Sequence, residues 1–217
     1  MGRLGQCARG IPLVYSTQQA DTLPIKWQGI FTARTMPAAF TEHEYQRILA
    51  GGRALRQAYP DEYTRDGVPF WHLSDWEAAQ VQRDLDRLCL DRQDTQNIAC
   101  NAGRTVLLSF TTNAGSLSGV QYFAVGTGVG TPAASDTQLV SEFFRKAPTS
   151  TSISGGGALI STFFGTSDGN ATYTEAGLFG DGATGTVNSG QLFNHAPYVY
   201  AKTVSVTLTN QVTITLT

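Results

Sequence analysis

The chain has 217 residues and a formal net charge of −2, with 15 basic and 17 acidic side chains. This length suffices for one large domain or two modest ones with a sizeable hydrophobic core. The nearly balanced charge gives no general attraction to nucleic acid or to an anionic membrane, so we expect neither as a partner. No stretch approaches the roughly 20 consecutive apolar residues that a membrane-spanning helix needs.

The three cysteines are an odd number, and none belongs to a CxxC motif or has a histidine at ligand spacing. This pattern argues against a disulfide framework and against a zinc site. We therefore expect Cys7, Cys89 and Cys100 to be free thiols in a protein made in a reducing cytosol. The first residues contain no apolar run of signal-peptide length.

The charges divide the chain into two differently built halves. Residues 1–104 hold 12 basic and 12 acidic side chains, whereas residues 105–217 hold 3 and 5. The second half is rich in Thr, Ser and Gly, yet it keeps apolar residues at regular spacing, which indicates a folded domain. We predict an extended N-terminal arm over residues 1–40, a helical attachment region over 41–96 and a β-rich domain over 97–217.

The predicted arm contains Pro12, Pro24 and Pro37 and has little periodicity, with one short candidate strand at Gly29–Thr32. Such an arm either crosses a neighbouring subunit or wraps its own domain, and the sequence leaves both readings open.

A capping box predicts the start of the first helix. Thr41 supplies a hydroxyl at the N-cap and Glu44 a carboxylate three residues later. Gly51-Gly52 either breaks this helix or lets another backbone approach closely. One helical face is apolar, and it carries Tyr45, Ile48, Leu49, Leu55 and Tyr59.

A second capping box, from Ser74 to Glu77, predicts another helix with an apolar stripe. Charges of both signs on its other face are typical of a solvated surface, and a docking face for a charged partner is the alternative. The aromatic cluster before it forms either a local core or a protein contact. We take Arg83, Arg87, Trp71 and Trp76 as candidate attachment residues, and the stripe consists of Ala78, Val81, Leu85 and Leu88.

In the second half, short apolar runs alternate with clusters of turn residues, which predicts consecutive strands. The segment Asn97–Thr112 fits either a short helix or a buried strand. The last strand alternates apolar residues with Thr or Ser, which predicts that one of its faces is buried. The predicted strands are Gly119–Val125, Leu139–Arg145, Ala158–Phe164, Tyr173–Phe179, Gln191–His195 and Lys202–Leu216.

Two phenylalanine doublets place an aromatic ring on both faces of a sheet, because neighbouring strand residues point in opposite directions. One ring of each doublet fits the core, and the other needs a second sheet, a helix or another chain to cover it. We expect burial between identical subunits, and a sandwich within one chain is the alternative. The candidate interface residues are Phe143, Phe144, Phe163, Phe164 and Phe179.

The sequence offers little chemistry. Gly126, Gly128 and Gly130 form a GxGxG loop. A dinucleotide fingerprint, GxGxxG, would need a glycine at position 131, which is Thr131. We therefore predict a turn that needs positive φ angles. Glu175 and His195 are the ionisable residues of this half that we expect to lie in contact, and we expect this contact to hold two strands together. We predict no catalytic residue, metal or cofactor, since nothing pairs the acidic residues Asp136, Glu142, Asp168, Glu175 and Asp181.

One segment has a further reading as a cation site. Asp168-Gly169-Asn170 could ligate calcium, although a simple turn explains the same residues.

Seven short segments of the second half stand in a characteristic order and spacing: Asn101–Arg104, Tyr122–Gly128, Pro132–Leu139, Ser141–Arg145, Tyr173–Phe179, Leu192-Phe193 and Lys202–Leu216. Together they resemble the β-rich module of tailed-bacteriophage collar, tail-fibre and related virion proteins. The resemblance extends over most of residues 97–217 and supplies no catalytic residues.

The resemblance implies a mainly β, α+β protein whose C-terminal domain is an antiparallel, β-sandwich-like building block. It implies a structural component of the neck, collar or tail fibre, in a virion assembled in the host cytoplasm. The partners would be copies of itself, as a trimer rather than a hexamer, and a portal, neck, tail or capsid protein bound by the N-terminal half.

Two other functions stay open. One is a capsid decoration or head-fibre protein. The other is a module that binds a host surface glycan, for which Tyr198 and Tyr200 would form the platform.

Overall fold

The computed structural model describes residues 27–58, 81–112, 118–154 and 157–216. Within them the protein is mainly β, with two antiparallel sheets and three helices. The helices are α1 (Glu42–Ala58), α2 (described over 81–88) and α3 (Asn101–Thr112). The strands are β1 (Trp27–Pro37), β2 (Asp91–Gln96), β3 (Ile98–Ala99), β4 (Val120–Gly126), β5 (Glu142–Lys146), β6 (Ser150–Ser154), β7 (Gly157–Phe164), β8 (Thr172–Gly180), β9 (Gln191–Ala201) and β10 (Val206–Leu216).

The first sheet has the strand order β2-β1-β10-β7-β6, and we call it the helix-covered sheet. Strand β1 lies in its interior, where it pairs along its whole length with β10 and also with β2. The register sets Phe31 opposite Val212. The second sheet, which we call the loop-covered sheet, has the order β3-β9-β8-β4-β5.

The expected arm over residues 1–40 differs from this arrangement, because 27–37 form an interior strand. The boundary drawn at residue 96 also fails to separate two units, since β1 and β2 share a sheet with β7 and β10. The candidate strand at Gly29–Thr32 lies within β1, which extends to Pro37. Its full length was not predicted, because its outward residues Thr32 and Arg34 are polar yet buried. Residues 1–26 of the predicted arm lie outside the described residues.

Aromatic side chains from both sheets meet in one hydrophobic cluster. The ring of Phe123 on β4 lies 5.7 Å from that of Phe31 on β1 and 5.8 Å from that of Phe164 on β7, between centroids. Val106 on α3 joins the same cluster. The inner faces of the two sheets therefore share a core that residues before and after position 97 build together.

The outer face of the helix-covered sheet is closed by α1 and α2. Tyr45 on α1 and Val81 and Leu85 on α2 form a second cluster with Met36 and Phe163 of the sheet. Burying this face against amphipathic helices is the usual way to complete a sheet that has apolar residues on both sides.

The outer face of the loop-covered sheet is closed differently. Leu139, in the loop 127–141, and Ala183, in the loop 181–190, pack with Phe179 and Leu192 of the sheet in a third cluster. Segments without regular secondary structure therefore cover this face.

The predicted strands at β4, β7 and β8 are confirmed to within two residues. The strand expected from Leu139 starts at Glu142, because Leu139 belongs to the covering loop. Strand β9 continues to Ala201, well beyond His195. Strand β10 begins at Val206 and is buried on both faces over 207–212, so the side that was expected to face solvent is buried as well.

The capping box of α1 is confirmed, since the Thr41 N–H donates to Glu44 Oε2 (2.7 Å) and the Glu44 N–H donates to Thr41 Oγ1 (3.3 Å). The helix continues through Gly51-Gly52 to Ala58. The ambiguous segment Asn97–Thr112 contains a helix from Asn101. The second capping box and the aromatic cluster with Trp71 and Trp76 lie outside the described residues.

Candidate functional site

Three ionisable side chains from three elements meet beneath the loop 127–141. His195 on β9 has its Nε2 atom 3.0 Å from Glu175 Oε2 on β8 and its Nδ1 atom 2.7 Å from Asp136 Oδ2 in the loop. The antiparallel register of β8 with β9 makes Glu175 and His195 diagonal neighbours. Glu175 is 2% exposed and His195 1% exposed, so the centre of this cluster is shielded from solvent.

Glu175 holds both ends of the loop. Its Oε1 atom accepts hydrogen bonds from the N–H groups of Gly128 (3.0 Å) and Ser141 (2.7 Å), and its Oε2 atom accepts one from Val140 N–H (2.9 Å). Burying a carboxylate costs roughly several kcal/mol unless hydrogen-bond donors replace the lost water. Here three backbone amides and the imidazole of His195 supply such contacts.

Gly126 and Gly128 are required by this carboxylate. A Cβ atom at either position would overlap Glu175 Oε1, and at Gly128 it would also come within 2.7 Å of Ser141 N. Neither residue has a positive φ, and neither has Gly130. The expected turn with positive φ angles is therefore wrong, and close approach of a side chain explains the first two glycines of the motif.

Asp136 completes the cluster from the loop side. Its Oδ2 atom also accepts a hydrogen bond from Ala133 N–H (2.8 Å). Burial by itself would raise the pKa of Asp136, but the hydrogen bonds from Ala133 and His195 outweigh it, so the pKa lies below its ordinary value. The expectation that nothing pairs the acidic residues is wrong here, because His195 joins Asp136 to Glu175.

The contacts of the cluster join β8, β9 and the loop 127–141. Both ring nitrogens of His195 face carboxylate oxygens, so neither is free to take a proton from a hydroxyl or a thiol. Burial raises the pKa of the nearby Cys100 thiol to about 12, which keeps it protonated and unreactive at neutral pH. The expected tie between Glu175 and His195 is thus present, with Asp136 as a third member.

A second buried charge cluster anchors the loop 181–190. Arg145 on β5 pairs with Glu142 through two contacts, Nε to Oε1 (2.5 Å) and Nη2 to Oε2 (2.6 Å). Its Nη1 atom donates to Thr184 O (2.9 Å), and the Asn188 N–H donates to Glu142 Oε2 (2.8 Å). The guanidinium carbon lies 4.5 Å from the centroid of the Phe179 ring.

The predicted interface phenylalanines are mostly covered by their own chain. Phe164 lies in the core between the sheets, Phe163 is buried under α1 and α2, and Phe179 lies under Arg145. Phe144 is half-buried against the core, and its ring centroid lies 5.2 Å from that of Phe164. Each doublet does span two environments, but α1 and α2 cover Phe163, so it needs no second subunit. Phe143 alone of the five is exposed, at 48%.

The predicted attachment residues are placed only in part. Arg87 lies on α2 with its side chain 77% exposed, 3.9 Å from Asp84 Oδ1. Arg83 is also exposed on α2. Trp71 and Trp76 lie outside the described residues.

Part of the charged surface of α2 faces the sheet. Asp86 Oδ1 accepts a hydrogen bond from Nε of the fully buried Arg34 (2.6 Å), and its Oδ2 atom accepts one from Arg92 (2.7 Å). The sequence did not reveal Arg34, because a lone arginine in a strand gives no local signal of burial.

The remaining candidates do not form a binding site. Tyr198 is 1% exposed, and its hydroxyl donates to Asn210 Oδ1 (2.5 Å), so it cannot stack on a sugar; Tyr200 is only half-buried. A turn over 165–168 ends at the first residue of the candidate calcium segment 168–170, since the Asp168 N–H donates to Gly165 O (3.1 Å). Asp168 Oδ2 accepts from Lys146 Nζ (2.8 Å), and Asn170 Oδ1 accepts from Lys202 Nζ (2.9 Å). Lysine ammonium groups therefore occupy the oxygens that calcium would need.

Cys89 and Cys100 are free thiols, and Cys7 lies outside the described residues. Among the side chains that the structure describes, no group of three or more His, Cys, Asp or Glu residues could hold a metal ion. No helix of the described ranges is long and apolar enough to cross a membrane. Comparisons with protein-family models, with curated proteins and with solved structures found no match.

Proposed function

We propose that this chain is a structural component of a tailed-bacteriophage virion, in the neck, collar or tail-fibre region. The observation that carries the proposal is where the resembling segments lie. Tyr122–Gly128 covers the end of β4 and the start of the loop 127–141, Tyr173–Phe179 falls on β8, and the segments between Pro132 and Arg145 fall on the rest of that loop and on β5. These segments supply Asp136, Glu175 and the Glu142–Arg145 pair, so the resemblance concerns the contacts that hold one sheet and its loops together.

The use of charge in this region also favours a building block over an enzyme. Glu175 accepts hydrogen bonds from three backbone amides and contacts His195. Arg145 forms an ion pair with Glu142 and donates to the loop 181–190. Such groups rigidify loops and leave no free acid, base or nucleophile in the cluster. We also propose that the two sheets form a β-sandwich-like domain. The contacts of the Phe123 ring with the rings of Phe31 and Phe164 support this arrangement.

Attachment to the particle is assigned to the outer charged surface of α2, which carries Arg83 and Arg87. The partner there is a portal, neck, tail or capsid protein with acidic groups. The chain assembles as a homo-oligomer, a trimer rather than a hexamer, as the resemblance implies. Removing residues 1–96 cannot test this division, because it would delete β1 from the interior of its sheet.

Charge reversal on α2 gives a sharper experiment. Particles would be purified from the phage that encodes the chain, and the protein would be located on them by antibody labelling in the electron microscope and by mass spectrometry. We expect wild-type chain in the particles and a strong loss of incorporation for Arg83→Glu/Arg87→Glu. Arg104→Glu, an exposed arginine on α3, is the matched control and should be incorporated normally.

Recovery of the wild-type chain only in the particle-free lysate would refute the virion proposal. Incorporation of the α2 double variant at the wild-type level would refute the attachment surface alone. Labelling over the capsid shell would favour a decoration or head-fibre protein instead. The glycan-binding alternative gains no support, since Tyr198 of its proposed platform is buried.

A further inference from the structure

Four exposed apolar side chains lie on the loops that cover one sheet and at the start of β5. They are Val129 (88% exposed), Val140 (63%), Phe143 (48%) and Val187 (46%), and we call them the loop face. The two loops adjoin, because Gln138 Nε2 donates to Asn188 O (3.4 Å) and the Asn188 N–H donates to Glu142, the neighbour of Phe143. Within the first loop, Val140 packs directly against the backbone of Gly128, next to Val129.

The loop face is held in place by buried charges beneath it. Glu175 binds the backbone on either side of Val129 and Val140, through Gly128, Val140 and Ser141. Arg145 and Glu142 bind the backbone on either side of Val187, through Thr184 and Asn188. A surface whose loops are already ordered loses little conformational entropy on binding, so its apolar groups contribute more of their burial energy to association.

The charge of the two loops indicates what covers them. Residues 127–141 and 181–190 contain no lysine, arginine or glutamate, and their two acidic residues are Asp136 and Asp181. Asp136 is paired with His195, so little charge is left to repel a copy of the same surface or to attract a charged partner. The surface of α2, by contrast, has exposed basic and acidic side chains and suits a charged partner.

We propose that the loop face is the contact between copies of this chain. The proposal rests on the proposed function and deepens it, because it names the surface through which the homo-oligomer forms. It also replaces the buried phenylalanines Phe163, Phe164 and Phe179 as interface residues and keeps Phe143.

Sedimentation velocity over a range of concentrations tests the proposal with the full chain. The test variant is Val129→Asp/Val187→Asp, which places two carboxylates in the contact. The matched control is Val199→Asp/Val204→Asp, because Val199 and Val204 are also exposed (65% and 67%) but lie outside the loop face. We expect the wild type and the control to associate alike and the test variant to associate at least about tenfold more weakly. Thermal unfolding monitored by circular dichroism should be the same for all three, since each replaced side chain is exposed.

A wild type that stays monomeric at every concentration would overturn the proposal. So would a folded test variant that associates as strongly as the wild type, since another surface would then make the contact. Either result leaves the virion proposal to be decided by the particle experiment, so the two proposals fail separately.

Discussion

In both sheets a buried charge binds the segments that cover the outer face, but the two charges have opposite signs. Each buries polar residues on its outer face and binds a cover there. In the helix-covered sheet the anchor is a buried cation, Arg34, which donates to side chains of Gln82, Asp86 and Gln211. In the loop-covered sheet the anchor is a buried anion, Glu175, which accepts from the backbone of the cover itself.

The difference follows from the backbone of each cover. A helix satisfies its own N–H and C=O groups internally, so it offers only side chains to the sheet below. The loop 127–141 has amides without such partners, and burying them needs an acceptor. A carboxylate that takes three amides meets this need, whereas an arginine, which has no acceptor, could not.

The largest effect should come from removing the anion. Glu175→Gln keeps the shape of the side chain but turns one acceptor into a donor that faces Val140 N–H or His195. We expect a loss of about 3–5 kcal/mol in the free energy of unfolding, measured by urea titration. Asp181→Asn, in the neighbouring loop, should change it by less than about 0.5 kcal/mol. Equal values for the two variants would show that Glu175 is no anchor.

Replacing the buried cation Arg34 should lower the free energy of unfolding somewhat less than replacing Glu175. Arg34→Met leaves Gln82 and Gln211 without their donor, but Asp86 keeps Arg92 (2.7 Å), so we expect a loss of about 2–3 kcal/mol. Hydrogen exchange should become faster in α2 while the amides of Gly128 and Ser141 stay protected. Arg87→Met, on the exposed side of the same helix, should lose less than about 0.5 kcal/mol. Faster exchange in both covers would mean that they are not independent.

The space beside the anion gives a third test. Gly128→Ala would push a methyl group into the Glu175 carboxylate and the Ser141 backbone, at an expected cost of about 2 kcal/mol. Gly130→Ala, two residues away, meets only Val140 Cγ2 at 3.4 Å and should be nearly neutral. Thermal melting of both variants checks this, and a neutral Gly128→Ala would contradict the close approach.

The smallest effect should be a dependence on pH. Because the pKa of Asp136 in the folded protein lies below its ordinary 3.8, the folded state binds fewer protons. The stabilisation is therefore fully present above this ordinary value and is lost as the pH falls through the folded pKa. In Asp136→Asn, the acid-induced drop of the melting temperature should shrink.

Some of the acid-induced drop should remain in that variant, because the pKa values of Asp94 and Asp168 are lowered as well. An unchanged drop would mean that Asp136 has the same pKa in the folded and unfolded chain.

Local patterns in the sequence were sufficient for much of the fold. Short apolar runs between clusters of turn residues located β4, β7 and β8, and the capping box at Thr41 located the start of α1, because both depend on residues only a few positions apart. The meeting of Glu175 with His195 was also expected. Asp136 was not placed beside them, since it comes from a loop 59 positions from His195 and no local spacing connects the two.

The sequence by itself determined that the protein is mainly β, that its second half is poor in charge, and that each phenylalanine doublet serves two faces. Only the tertiary structure decided that β1 lies inside a sheet, that helices of the same chain cover Phe163, and that Glu175 explains Gly126 and Gly128. The physical reason is distance along the chain. Hydrophobic period and turn chemistry act over a few residues, whereas burial of a polar side chain depends on partners from remote segments.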